Sequence, residues 1–196
     1  MLKKLFTDLK KLHADKRWAP FFDISYFVFL TFAIHYLYRY WYLNFDASIF
    51  GFQIITPGIE DFFTNSVYLH SSWIVNAIMP VKLDNNTFYF YNDCSVIINH
   101  SCSGVKQILQ FAVLMLFYPG PWKHKAWYIP MGMFLVHLTN IFRIVGLSVV
   151  MNNWPQHWQF AHDFPFRIIF YVVIFLLWVW WNERFYRGKG SGRVRE

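Results

Sequence analysis

The chain has 196 residues, of which 56% are hydrophobic and 23% aromatic while only 15% are charged, too apolar for a soluble domain that needs a charged, patch-free surface. The net charge of +7 would suit nucleic acid only as a patch, and the basic residues are instead split between the ends of the chain. Lys3, Lys4, Lys10, Lys11, Lys16 and Arg17 precede the first apolar segment, Arg184, Arg187, Lys189, Arg193 and Arg195 follow the last, and Lys123 and Lys125 fill a short internal loop. Such clusters mark the cytoplasmic ends of membrane spans and pair with anionic lipid, so the expected surroundings are membrane lipid and no nucleic acid.

Residues 3 to 18 set Leu5, Leu9, Leu12 and Trp18 among lysines at near-helical spacing, the pattern of a basic amphipathic helix on the inner leaflet. A first span over about 22 to 42 ends in the aromatic belt Tyr36, Tyr38, Tyr40, Trp41 and Tyr42. Its apolar stretch outruns a signal-peptide core and no small-residue cleavage site follows, so it reads as a retained anchor. Residues 59 to 79 carry Glu60, Asp61, Asn65, His70, Ser71, Ser72 and Asn76, too polar for a lipid-facing span. A stripe of Phe62, Phe63, Val67, Ile74 and Ile78 predicts an interfacial helix on the outer surface. Val81 to Asp84 and Thr87 to Tyr91 flank the turn pair Asn85-Asn86, and Ser95 to Asn99 adds a further short strand, which predicts a small outer β-hairpin.

Three more spans follow at about 103 to 119, closed by Pro119-Gly120-Pro121, at about 126 to 151 and at about 164 to 182. The fold class expected is therefore an all-α integral membrane protein of about four transmembrane helices with an outer interfacial helix and hairpin. It forms one domain over residues 1–196, with 1–21 a basic cytoplasmic segment and 183–196 a basic cytoplasmic tail. Four crossings with both termini inside put residues 43–102 and 152–163 outside.

That topology gathers Cys102, Arg143 and His162 at the outer ends of three successive spans. A thiol, a permanent cation and an imidazole suffice for a nucleophile, an oxyanion stabiliser and an acid/base. Cys102 stands in Ser101-Cys102-Ser103-Gly104 at a loop-to-helix junction. The positive end of the helix and Lys106 one turn on make it an electropositive setting of the kind reactive thiols occupy, and Gly104 leaves room for a substrate backbone. From the residues alone Cys102 is equally a small packed side chain. Arg143, with Asn140 and His137 at preceding turns, must face protein or a polar cavity, unless it snorkels to a lipid phosphate. Asp163 next to His162 serves either the site or the start of the last span as a helix cap, with Arg167 at i+4.

These elements resemble the exosortase and archaeosortase membrane transpeptidases, whose motifs are a Cys-Ser/Ala-Gly element, an Asn-x-x-Arg element and a later His or Arg. Here they read Cys102-Ser103-Gly104, Asn140-Ile141-Phe142-Arg143 and His162, in the same order. The small size and the aromatic-rich ending to Trp181 look most like the exosortase F branch of Bacteroidota. The chain has fewer spans than the larger exosortases, and Val105-Lys106-Gln107 stands where they commonly carry apolar residues and a serine.

The resemblance implies catalytic roles for Cys102, Arg143 and His162, with Ser103, Gly104, Lys106, Asn140 and Asp163 supporting them. It also implies a bacterial inner-membrane location with the site on the periplasmic face. The partners it implies are exported proteins bearing a C-terminal sorting signal, made of a short motif, a transmembrane helix and a basic tail, and an amine acceptor. No cofactor or metal is implied. A Cys102, His100 and His162 metal site is weak, since no tight ligand pair is present among them. The competing readings are a cysteine protease without transfer and a non-catalytic membrane scaffold or transport subunit. Cys94 is either a free thiol or a disulfide partner of Cys102, and a permanent bridge would block the nucleophile.

Overall fold

A computed structural model describes residues 19–44 and 52–187, in two units that divide after Asn44. The amphipathic segment expected over 3 to 18 and the tail beyond residue 187 lie outside the described residues. The first unit contributes one helix, α1 (Ala19–Asn44). Pro20 sits in its first turn, where a missing N–H costs no helical bond, and Pro20–Leu37 is long and apolar enough to cross a membrane. Of the expected aromatic belt, Tyr36 and Tyr40 are exposed; the side chains of Tyr38, Trp41 and Tyr42 lie outside the described ones.

The second unit begins with α2 (Phe52–Ile78), a helix of 27 residues that starts before the expected 59. Its inner face matches the predicted stripe only in part: Val67 is buried and Phe63 and Ile74 are half-buried, but Phe62 and Ile78 are not inside. Thr64, Val67, Ser71 and Val75, at three- and four-residue spacing, are buried, whereas Phe62 is 66% and Ile78 56% exposed. Small side chains take the inner position, and Ser71 turns its hydroxyl back to the helix, Oγ donating to the Val67 carbonyl at 2.5 Å.

The hairpin forms where expected. Strands β1 (Lys82–Asp84) and β2 (Thr87–Tyr89) pair antiparallel across Asn85-Asn86, and β3 (Ser95–Ile97) pairs with β2. Both turn asparagines have positive φ, 41° and 59°, the two-residue hairpin geometry that Asn tolerates and most residues resist. Phe88, Phe90, Val96 and Ile98 cluster with Val67 and Val75 of α2 and with Met79 just beyond its end, and Phe88 stacks on Tyr68 at 5.5 Å.

The helical bundle follows: α3 (Val105–Phe117), α4 (Trp122–Asn153), α5 (Trp158–Asp163) and α6 (Pro165–Trp181). Among the described residues, three helical stretches meet the length and apolarity of a span: α1, α4 and the run Pro155–Tyr186. The crossing expected over 103 to 119 is a helix of only 13 residues, roughly 20 Å, which falls short of a hydrocarbon core of about 30 Å. It packs along α4, where Gly132 lets Phe111 come against the helix backbone. Lys125, assigned above to a charged loop, is 4% exposed. Its ammonium donates to the carbonyls of Leu116 at 2.8 Å and Tyr118 at 2.6 Å, closing the C-terminus of α3 with a cation where the helix dipole favours one. Tyr128 donates to the Leu177 carbonyl and Trp181 to that of Pro119, tying α4 and the α3–α4 connection to α6.

Candidate functional site

The segment from Asn99 to Gly104 is a tight turn made by its own side chains. The Asn99 side chain accepts from the Ser101 amide at 3.1 Å, and its carbonyl accepts from the Cys102 amide at 2.8 Å, so His100–Cys102 winds as a single 3₁₀ turn. Gly104 then takes φ 74°, the left-handed region open to glycine. Its carbonyl receives the amides of Gln107 and Ile108 as α3 begins. The buried Ser103 hydroxyl accepts from the Val105 amide at 3.3 Å, so it serves the helix start. Lys106 lies in the first turn of α3.

Asn140 of α4 is fully buried and donates from Nδ2 to the Cys102 carbonyl at 2.6 Å. A Cβ added at Gly104 would lie 2.7 Å from that nitrogen. The sequence therefore needs glycine here for two reasons, the backbone angle and the close approach of Asn140. The pairing fixes the nucleophile candidate's backbone to the helix that carries Arg143 one turn further on.

Arg143 is half-buried and donates from Nη2 to His162 Nε2 at 3.1 Å. A guanidinium can only donate, so Nε2 is the accepting nitrogen and Nδ1 carries the proton, directed at Asp163 Oδ1 at 3.1 Å. Asp163 also receives Arg167 Nη2 at 3.1 Å and the side-chain amide of Gln159. His162 stacks on Trp158, 5.9 Å between ring centroids. The expected cap at Asp163 does not form: α6 starts at Pro165 after Phe164, with no side-chain cap bond. Asp163 instead orients the imidazole and holds Arg167.

Cys102 and Cys94 are both free thiols, so no bridge blocks Cys102. Its sulfur is 4.0 Å from the Ile97 carbonyl, its side chain packs on the hairpin core, and it lies within electrostatic range of Arg143. Among the described residues no three His, Cys, Asp or Glu side chains are grouped to hold a metal ion. Two site features were missed in sequence. His100 is hydrogen-bonded to Asp61 at 2.7 Å and faces Glu60 at 3.6 Å. The pairs are about 40 residues apart, and their only sequence signal is the adjacent acids Glu60 and Asp61 at the head of a polar-rich stretch.

Compared with known proteins, residues 19–179 match the family described as transmembrane exosortase (Exosortase_EpsH). No curated protein and no solved structure matches the chain.

Proposed function

The chain belongs to the transmembrane exosortase family, and from that membership we propose that it is a membrane cysteine transpeptidase that cleaves the C-terminal sorting signal of exported proteins. The observation that carries this reading is the pair of links running through α4: Asn140 to the Cys102 carbonyl, and Arg143 to His162 and on to Asp163. One helix thereby bears on both the thiol turn and the imidazole.

In the proposed reaction Arg143 swings its guanidinium from His162 Nε2 toward the carbonyl oxygen of the bound peptide. The Cys102 sulfur attacks that carbonyl as its proton passes to the freed Nε2, and Arg143 meets the charge that gathers on the oxygen. Asp163 holds the imidazole by Nδ1 throughout. His162 gives the proton to the leaving amine, the C–N bond breaks, and an acyl thioester remains on Cys102. An amine acceptor then attacks that thioester, forming a new amide and returning the thiol; attack by water would give proteolysis instead.

The topology belongs to the same proposal: both termini cytoplasmic in a bacterial inner membrane, with the site on the periplasmic face, an arrangement in which the 13-residue α3 completes its crossing only together with the turn before it and the Pro119-Gly120-Pro121 connection after it. Its support is spacing. From Trp122 to Asn140 along α4 is roughly 28 Å, close to one hydrocarbon thickness from the Lys123 end. The aromatic-rich run from His162 to Trp181 supports a place in the exosortase F branch of Bacteroidota.

The test is to express Cys102→Ala and Cys94→Ala chains with exported proteins of the same host and to follow signal removal by mass analysis of the new C-terminus. Cys102→Ala is expected to abolish processing and Cys94→Ala to retain it. Processing by Cys102→Ala cells would end the transpeptidase reading, and a free carboxyl on every product would reduce it to proteolysis.

A further inference from the structure

The 3₁₀ turn that carries Cys102 also walls a second feature. A pocket of about 360 Å³ opens between α2, the hairpin and this turn, lined in part by Asp61, Thr64, Asn65, Asn99, His100 and Ser101. That is the size of a small-ligand cleft. Thr64 is only 3% exposed, yet its hydroxyl has no hydrogen-bond partner. Buried hydroxyls are nearly always paired, so an unpaired one in a pocket wall calls for an external partner. Two carboxylates flank the ring of His100 beside it: Asp61, in the pocket wall, accepts from His100 Nε2 at 2.7 Å, and Glu60, outside the lining, lies 3.6 Å from His100 Nδ1. With Nε2 donating to Asp61, Nδ1 is the ring's second proton site.

We propose that this pocket is the acceptor site of the transpeptidase, and that it takes a primary amine carried on a hydroxyl-bearing body. The proposal rests on the Cys102 thioester argued above. The acceptor enters as an ammonium, drawn by Asp61 and Glu60 and oriented by a hydroxyl on Thr64. One proton passes to His100 Nδ1. The freed nitrogen pair attacks the thioester carbon, the C–N bond forms as the C–S bond breaks, and the nitrogen's second surplus proton goes to the departing Cys102 sulfur.

The test loads Cys102 without any sorting signal. The full chain in lipid nanodiscs, with Cys94→Ala, is acylated by thioester exchange with an acetylglycyl thiobenzyl ester. It is then offered 2-amino-1,3-propanediol or 3-aminopentane, which share a skeleton and differ in the hydroxyls. Mass spectrometry gives the ratio of amide to free acid. The expected result is a ratio about tenfold or more higher for the diol, the scale of one hydrogen bond to a buried group. Thr64→Val, which keeps the shape, should erase that preference, and Asp61→Asn should lower the ratio for both amines. Equal ratios for the two amines, unmoved by either substitution, would overturn the acceptor site while leaving the nucleophile intact. Failure of Cys102 to accept the acyl group would remove the nucleophile and the acceptor site together.

Discussion

Gly104→Ala tests whether the thiol turn is held by the contact between Gly104 and Asn140. A residue other than glycine at φ 74° costs about 1–2 kcal/mol in left-handed strain. The new Cβ would stand 2.7 Å from Asn140 Nδ2 and 2.9 Å from its Cγ, and Asn140 is fully buried. Overpacking of that kind costs about 1–3 kcal/mol. If Asn140 moves, its 2.6 Å bond to the Cys102 carbonyl is lost as well, about 1 kcal/mol more. A total on the order of 3–6 kcal/mol is a large share of a domain's stability. Thermal unfolding of the chain in nanodiscs should show it, together with loss of acylation at Cys102. Asn140→Ala in the same chain removes the clash but leaves the strain, so the two changes should couple by about 1 kcal/mol or more. Wild-type unfolding by Gly104→Ala, or strict additivity of the pair, would refute the reasoning.

Three other outcomes are expected. Arg143→Lys keeps the charge but loses the planar fork, so it should insert at normal abundance and lose about 100-fold to 1,000-fold in processing rate; near-normal cleavage would move Arg143 to lipid contact. Lys125→Met strands the Leu116 and Tyr118 carbonyls and should destabilise by about 1–3 kcal/mol, whereas the exposed Lys123→Met should shift stability by less than about 0.5 kcal/mol; matched unfolding curves for the two variants would contradict the capping role. Reporter fusions at Asn85 and Lys123 should report the outer and inner compartments respectively, and a cytoplasmic signal at Asn85 would invert the proposed topology.

What the sequence makes legible here is local. Asn85-Asn86 names its own turn because only a few residues accept positive φ twice in succession, and the long spans announce themselves by hydropathy. Cys102, Arg143 and His162 are legible as a set through the spacing of the spans and the family's motif order, and the Arg143–His162 contact joins two of them directly. Illegible are the features set by packing between distant segments. The inner face of α2 is chosen by how closely it meets its neighbours, which favours Thr64, Ser71 and Val75 over the bulkier Phe62 and Ile78. Lys125 reads as a surface charge until the end of α3 is found above it, and α3 itself reads as longer than it is because Ser103 and Gly104 belong to the thiol turn and Tyr118, before Pro119, is already extended.

The placement of Asp163 bears on the question that the residues alone leave open at Arg143. Arg143 and Arg167 bring two positive charges to a network whose one carboxylate, Asp163, is bonded to Arg167 and to His162. The described contacts thus leave the half-buried Arg143, within electrostatic range of Cys102, without a carboxylate partner. A structural ion pair would be expected to close its own charge, because an unpaired buried cation is costly. A surplus cation beside a thiol is what a site for a negatively charged intermediate requires. A lipid phosphate could satisfy the same charge, but only from the membrane face, and would leave the Nη2 bond to His162 without a purpose. The Arg143→Lys measurement separates the two, since a phosphate accepts lysine as a point charge and an oxyanion held in fixed geometry does not.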